Sequence, residues 1–307
     1  MRVFVTGATG FVGRGAVSAL HDAGHEIVGL VRRATPSPYD NVRYVVGSVT
    51  DDPAETLAGL MEGCDAVIHL VGIIAEVASK NQTFERVHVF GTANVVDAAK
   101  MAGAGMTRFV YVSAIGAAPD ARAEYSRTKA TAENLVRQSG LPWTVFRPSL
   151  VFAAGAPFLK QMEELLRKPP LSPFPLPFVP VPGDGQNRFQ PVHRDDLAVC
   201  LSACPGKPDT ANRLFEIGGS DEVTFDELLA QIGKRIGVNK PNLHAPIPIM
   251  YTVAAVLESV LPHPPITTDQ LLNLEQDNVC DNDPIKRAFD IYPLSLTQIL
   301  DRCYDPQ

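Results

Sequence analysis

Tyr125 and Lys129, four residues apart in the run YSRTK, and Ser113, twelve positions earlier, are the residues of this 307-residue chain best suited to moving a proton. On a helix that spacing puts tyrosine and lysine on one face. A free phenol titrates near pH 10 and is a poor acid or base at neutrality, but a nearby ammonium stabilises the phenolate and lowers that value. A serine hydroxyl at a strand end could hold a substrate carbonyl or alcohol. A second constellation lies at the start of the chain, in Thr6-Gly7-Ala8-Thr9-Gly10-Phe11-Val12-Gly13. Two linked phosphates need main-chain N–H groups aimed at them with no side chains in the way. A strand, a tight glycine turn and a helix start supply these, and the helix dipole favours the negative charge. Gly7 permits the turn, Gly10 lets phosphates approach, and Gly13 lets the helix sit close to the strand. The expected ligand is a dinucleotide, with Thr9, Phe11 and Val12 contributing to its seat.

The end of the second strand bears on which dinucleotide this is. An acidic residue there would bind the adenosine ribose of NAD. This chain has Val31-Arg32-Arg33 instead. Guanidinium groups suit a 2′-phosphate, and Arg14, just past the third glycine, could add a second clamp. NADP(H) is therefore favoured, with NAD(H) as the alternative. The plainer reading of Arg32 and Arg33 is solvated charge at a strand end.

These groups need a scaffold, and the first half of the chain alternates strand and helix patterns, as a parallel sheet covered on both faces requires. Strands are expected over residues 2–5, 26–31, 42–46, 66–71, 109–113 and 143–146, and helices over 11–23, 84–101 and 123–139. Asp52-Pro53 reads as a capped helix start. Ser113 falls at a strand end, the edge where ligands bind in such sheets. The proline-dense stretch from Pro169 to Pro182 reads as an irregular loop over a pocket. A strand is expected at 214–217 and a helix at 225–236. The expected architecture is a doubly wound, Rossmann-type parallel sheet over residues 1–150, followed by a smaller α/β substrate domain over 151–307. The strand at 213–217 is a candidate to return to the main sheet.

The formal net charge of -7 gives no general attraction to nucleic acid or anionic lipid. The five cysteines have no zinc spacing and read as reduced thiols, so no metal is expected. Met1 leads straight into a strand, leaving no room for a signal peptide, and a cytoplasmic location is expected. The most apolar stretch, Ile247 to Leu261, is too short to span a bilayer. It reads as a buried helix of the second domain, with a membrane-surface or quinone-facing helix as the alternative.

Taken together, TGATGFVG, VSAIGA with Ser113, YSRTK, FRPSLVF and QPVHRDDLA resemble the extended or atypical short-chain dehydrogenase/reductase superfamily, whose members include epimerases and dehydratases. The resemblance covers nearly the whole chain. RVHVFGTANVVDAA and ITTDQLLNLEQDNV point to the subgroup related to the accessory nucleotide-binding subunit of respiratory complex I. It implies that Gly7, Gly10 and Gly13 line the pyrophosphate and that Tyr125 is the proton donor and acceptor. It also implies that Lys129 binds the nicotinamide ribose and tunes Tyr125, while Ser113 orients the reacting oxygen. Arg147-Pro148-Ser149 would close the pocket near the nicotinamide, and His193, Arg194 and Asp195 would sit where the two domains meet. Two residues depart from the pattern. His88 holds the place of the superfamily's active-site asparagine, as a proton relay or as a core histidine bonded to a carbonyl. Ser48 replaces an acidic residue common after the third strand, so adenine recognition is expected to differ.

Two readings of function follow. The first is an NAD(P)-dependent oxidoreductase or epimerase acting on a small carbonyl, alcohol or sugar-type substrate. The second is a non-catalytic or redox-sensing NADPH-binding subunit docked on a quinone- or membrane-linked complex. Monomer and homodimer are both open. The glycine spacing gives no support to a flavin or S-adenosylmethionine protein.

Overall fold

The structure is a computed structural model describing residues 1–103, 105–168, 176–261, 264 and 266–304. The chain opens with β1 (Arg2–Thr6), α1 (Phe11–Asp22), β2 (Glu26–Val31), β3 (Val42–Val46), α2 (Ala54–Leu60) and β4 (Ala66–His69). A π-helical segment, Glu85–Phe90, runs directly into α3 (Gly91–Met101), so the helix expected over 84–101 is continuous but widens by one residue per turn in its first half. Then come β5 (Arg108–Val112), α4 (Glu124–Arg137), β6 (Trp143–Pro148), β7 (Val151–Phe152), α5 (Pro157–Arg167), β8 (Val179–Pro182), β9 (Arg188–Phe189) and β10 (Val192–His193). The chain continues through α6 (Arg194–Ala203), β11 (Arg213–Ile217), β12 (Val223–Thr224), α7 (Phe225–Ile236), β13 (Asn242–Ala245), α8 (Ile247–Val260), α9 (Thr268–Leu274), α10 (Asp283–Phe289) and α11 (Leu296–Tyr304).

Two compact units result. The first contains Met1–Pro148, Arg194–Ile217 and Asp281–Tyr292. Its seven-stranded sheet has the order β11-β6-β5-β4-β1-β2-β3, with every neighbouring pair parallel. Strand order reverses between β1 and β4, and in doubly wound sheets ligands bind outside the carboxyl ends of strands at that point. The four residues of β4, Ala66–His69, are all buried, as a central parallel strand covered on both faces must be. Phe4, Val67, Val95, Phe109 and Val145 belong to one core cluster. Because β11 lies beside β6 and α6 packs on α1, this unit is discontinuous in sequence and differs from the uninterrupted 1–150 segment expected.

The second unit contains Ser149–His193, Gly218–Cys280 and Pro293–Gln307. It holds three two-stranded sheets, β7 with β10, β9 with β12 and β8 with β13. Helix α7 starts on a reciprocal capping box, in which the Thr224 hydroxyl accepts from Glu227 N–H and the Glu227 carboxylate accepts from Thr224 N–H.

Three expectations need correcting. The proline-dense stretch is not wholly irregular. Residues 169–175 lie outside the described residues, but Val179–Pro182 forms a strand with a single partner, β13. The N–H groups of Val179 and Gly183 bond to Pro241 and Ala245 carbonyls, so the prolines between them leave ladder donors intact. Asp52 does not cap α2. Pro53 is the N-cap residue, and the Asp52 carboxylate accepts from Ser48 N–H at 2.8 Å. Helix α8 occupies Ile247–Val260 but is not buried: Ala254 is its one buried residue, and Ile249, Val253, Val256 and Val260 are exposed. Apolar content without a 3.6-residue period gave no means of telling these cases apart.

Candidate functional site

The glycine turn connects β1 to α1. Gly7 has φ +69°, in the left-handed region that glycine enters without penalty. Its carbonyl accepts the Gly10 N–H at 2.8 Å, which closes the turn. A Cβ on Gly13 would overlap that same carbonyl oxygen, so the helix can start this close only without a side chain there. Gly10 is the helix N-cap, and no side chain caps α1 or places an acid in its first turn. The first-turn N–H groups are therefore left for an outside anion. Thr9 and Gly10 are exposed, and Phe11 and Val12 are half-buried.

At the carboxyl end of β5, Lys129 of α4 is buried with its ammonium donating to the Val112 carbonyl at 2.8 Å and to the Tyr111 hydroxyl at 3.3 Å. Its third N–H has no partner among the described residues. Burial pulls the Lys129 pKa down to about 8, against a smaller upward pull from Glu133. Tyr125, one helical turn earlier, is half-buried, with its ring edge-on to His88 at 5.5 Å and to Phe84 at 5.8 Å between centroids. Ser113 directly follows β5. Its N–H donates to the Phe146 carbonyl at 2.7 Å, while its hydroxyl is buried with no hydrogen-bond partner. A buried polar atom without a protein partner is costly, so this hydroxyl keeps its hydrogen-bonding capacity for a group from outside the chain. Ser113, Tyr125 and Lys129 thus all lie at one end of β5. That strand pairs with β4, and β4 pairs with β1, from which the glycine turn emerges.

A buried string of side chains joins these two places. Thr6, the last residue of β1, bonds His69 Nδ1 at 2.6 Å, and His69 Nε2 lies 3.0 Å from Thr92 Oγ1. Thr92 also bonds the hydroxyl of Tyr111. Leu70 N–H donates to Thr6 Oγ1, and each nitrogen of the neutral His69 ring faces a hydroxyl that can serve it as donor or acceptor. Burial first, and the Lys129 charge second, pull the His69 pKa down to about 3. Thr6 opens the glycine motif and Thr92 lies within RVHVFGTANVVDAA, but no sequence motif announced His69 or Tyr111 as part of the site.

A protein family described as NAD(P)H-binding matches residues 7–156. Among curated relatives, an alpha subcomplex subunit 9 of mitochondrial NADH dehydrogenase [ubiquinone] 1 from Arabidopsis thaliana is 27% identical, over 92% of this chain and 70% of that protein. A ceramide reductase from Caulobacter vibrioides is 28% identical, over 84% of this chain and 77% of that protein. Among solved structures, MoeE5 in complex with UDP-glucose and NAD superposes with TM-score 0.73 at 20% identity, over 99% of this chain and 98% of that one. These matches support the resemblance to the extended, epimerase-like short-chain dehydrogenase/reductase superfamily: a nicotinamide-dinucleotide-binding family covers the first half of the chain, and the solved structures share its fold.

In the superfamily that the sequence resembles, an asparagine is usual at the position of His88. His88 sits in the π-helical segment, a feature common at functional sites. Thr128 Oγ1 lies 2.9 Å from the Glu124 carbonyl and commits its hydrogen to its own helix, so it accepts from His88 Nδ1–H at 3.0 Å. Nε2 then accepts from Ile73 N–H at 3.1 Å. Both ring nitrogens are committed to ties between three chain segments, the arrangement of a core histidine rather than of a relay. Burial first, then the Lys129 charge, pull its pKa down to about 2.

The remaining residues singled out from the short-chain dehydrogenase/reductase pattern divide clearly. Arg32 and Arg33 follow β2, are exposed, and have no ion-pair partner among the described residues. Arg14 is exposed and reaches back to the Thr9 carbonyl at 3.4 Å. Arg147 holds Glu133 in a two-pronged pair, both contacts 2.8 Å, and approaches Glu216 at 3.7 Å, so its charge is spent within the fold. Ser149 lies in the second unit and bonds Asn278. At the end of β3, Ser48 is not the only polar group. Its hydroxyl donates to Asp51 at 2.7 Å, and Asp51 pairs with Arg86 at 2.7 Å. Two carboxylates, Asp51 and Asp52, therefore stand beside Ser48. In the sequence they read as a helix start. Among the described residues no group of His, Cys, Asp and Glu could hold a metal, and no helix is long and apolar enough to cross a membrane.

Proposed function

We propose that the chain is an NADP(H)-linked oxidoreductase or epimerase acting on a carbonyl or alcohol, with Tyr125 as its acid and base. The observation carrying this reading is the Lys129 ammonium, fixed at the end of β5 with one N–H uncommitted, one helical turn from Tyr125 and on the strand end where the unpartnered Ser113 hydroxyl lies. Gly7, Thr9, Gly10, Phe11, Val12 and Gly13 would hold the pyrophosphate, and Arg32 and Arg33 the 2′-phosphate. When bound, the nicotinamide supplies or accepts a hydride at carbon. Ser113 Oγ donates to the substrate oxygen and holds it in place. Tyr125 gives its phenolic proton to that oxygen on reduction and takes one back on oxidation. The Lys129 charge stabilises the phenolate left behind, and its free N–H is available to the ribose hydroxyls. The ceramide reductase among the relatives supports a carbonyl substrate.

The test is turnover of NADPH and NADH against a panel of ketones, long-chain keto lipids and nucleotide sugars, comparing the native protein with Tyr125→Phe. The expected result is turnover in the native protein, at least a hundredfold loss in the variant, and unchanged cofactor affinity. Affinity without turnover on any of these substrates overturns the reading.

A second reading, an NADPH-binding accessory subunit, is supported by the committed nitrogens of His88 and by the complex I relative. It predicts a dinucleotide that co-purifies and exchanges slowly, with no turnover.

A further inference from the structure

Gly15 lies inside α1, buried and two residues past the glycine motif. A glycine there costs a helix about 1 kcal/mol relative to alanine. Its φ is ordinary, so backbone freedom does not account for it. The reason is a neighbour. A Cβ at position 15 would stand 2.8 Å from Arg194 Nε, 2.9 Å from its Cδ and 3.0 Å from its Cγ. The Arg194 side chain lies directly on the helix at this point, and its guanidinium carbon is 5.7 Å from the centre of the Phe11 ring. Phe11 is the first residue of α1, one turn nearer the N-terminus than Gly15. The side chain therefore lies across α1 at Gly15, with its guanidinium between that position and the Phe11 ring.

Arg194 is the first residue of α6, and α6 packs on α1 within the first unit. Its polar partner is the neighbouring Asp195, which meets Nε and Nη2 at 3.3 Å each. Among the described residues Nη1 has no hydrogen-bond partner, so the planar fork keeps donors to spare. The head of α1 carries no acidic side chain and no side-chain cap. A cation seated beside uncapped N–H groups strengthens an anion site that the helix dipole already favours.

We propose that Arg194 is a binding residue for the pyrophosphate of the dinucleotide, and that Gly15 is glycine in order to seat it. This rests on the cofactor reading above. Arg32 and Arg33 follow β2 and concern the adenosine end, whereas Arg194 lies against α1 just past the glycine turn and serves the phosphates common to NAD and NADP.

Two variants test the assignment by titrating NADPH and NADH, with melting temperature recorded in parallel. Arg194→Gln is expected to weaken both dinucleotides about tenfold, the loss of one charge-assisted contact. Gly15→Ala collides only with a flexible side chain and improves helix propensity. It is expected to keep or raise the melting temperature while weakening both dinucleotides to a similar degree, and combining the two changes adds little. A residue serving only to pack α6 on α1 would give the opposite pattern, with melting temperature moving and affinity unchanged. Native protein that binds with unaltered affinity in Gly15→Ala overturns the assignment, as does a loss confined to NADPH. Native protein that binds neither dinucleotide overturns the cofactor reading itself.

Discussion

The Lys129 ammonium and the Tyr111 hydroxyl lie 3.3 Å apart, both buried, at the carboxyl end of a central strand. Lysine here has no carboxylate in direct contact. Its charge is held by one hydroxyl and one main-chain carbonyl, and the hydroxyl belongs to a chain of contacts that runs back through Thr92 and His69 to Thr6, next to the glycine turn.

Removing that hydroxyl with Tyr111→Phe takes away one of two acceptors for the charged form. The Lys129 pKa, about 8 in the native protein, should fall further, by about one unit. The titratable groups around it are Tyr111 on β5, His69 on β4, His88 in the π-helical segment, and Tyr125 and Glu133 on its own helix. Of these, only the first is altered by the change. An anionic dinucleotide binds the ammonium form better, so affinity falls as pH rises through that value, and the midpoint should shift downward in the variant. Dinucleotide titrations from pH 6 to pH 10 read the midpoint directly. A midpoint that stays in place while only the melting temperature drops would leave Tyr111 as packing alone.

The same lysine makes stability depend on pH. Its value is about 8 folded and 10.5 in the unfolded chain, so between those limits the unfolded chain binds more protons. Stability must then rise with pH across that window, by an amount on the order of 3 kcal/mol. Urea unfolding of native protein and Lys129→Met, compared from pH 7.5 to pH 9.5, should show the rise in the native protein alone. Parallel curves would mean that the ammonium is better solvated than its burial implies.

Much of this site was legible in advance, and the limits have physical causes. Glycine spacing reports a backbone shape, and β2, β3 and α7 follow apolar periods, so the turn and these elements appear where residue order places them. Tyr125 and Lys129 are a helical pair whose geometry is local. The Thr6–His69–Thr92–Tyr111 string draws on β1, β4, α3 and β5, and no spacing along the chain encodes contacts made across a sheet. Nothing in the sequence singled out Gly15, because the residue that needs it is Arg194, far along the chain. The exposed stripe of α8 was misread because an apolar run without period looks the same buried or bare.

Acid should destabilise the fold well before its carboxylates titrate. His69 and His88 are buried and neutral, at about 3 and about 2, against 6.5 when unfolded. As pH falls below 6.5 the unfolded chain takes up two protons that the folded chain refuses, so stability is lost at roughly 2.7 kcal/mol per pH unit until the folded values are approached. His88→Asn removes one of the two groups and should halve the slope between pH 6 and pH 4, read by denaturant unfolding. An unchanged slope would mean that His88 charges within the folded protein.

In the proposed function, the choice between the two dinucleotides falls to Arg32 and Arg33. Both are exposed at the end of β2, where a carboxylate would otherwise bind ribose hydroxyls, and neither has an ion-pair partner among the described residues. A 2′-phosphate meets guanidinium groups through charge-assisted bonds, whereas a bare ribose gains little from them. Replacing both by alanine should weaken NADPH by at least about tenfold and leave NADH within about twofold. The effect should shrink in high salt, because exposed charges are screened. Calorimetric titration with each dinucleotide at low and high salt reads all three quantities. Equal losses for the two would place these arginines in general attraction to the cofactor, and a loss for neither would return them to the solvated surface. Since Arg194 is assigned to the shared phosphates, its replacement and the Arg32–Arg33 replacement should differ in kind: one lowers both affinities together, the other changes their ratio.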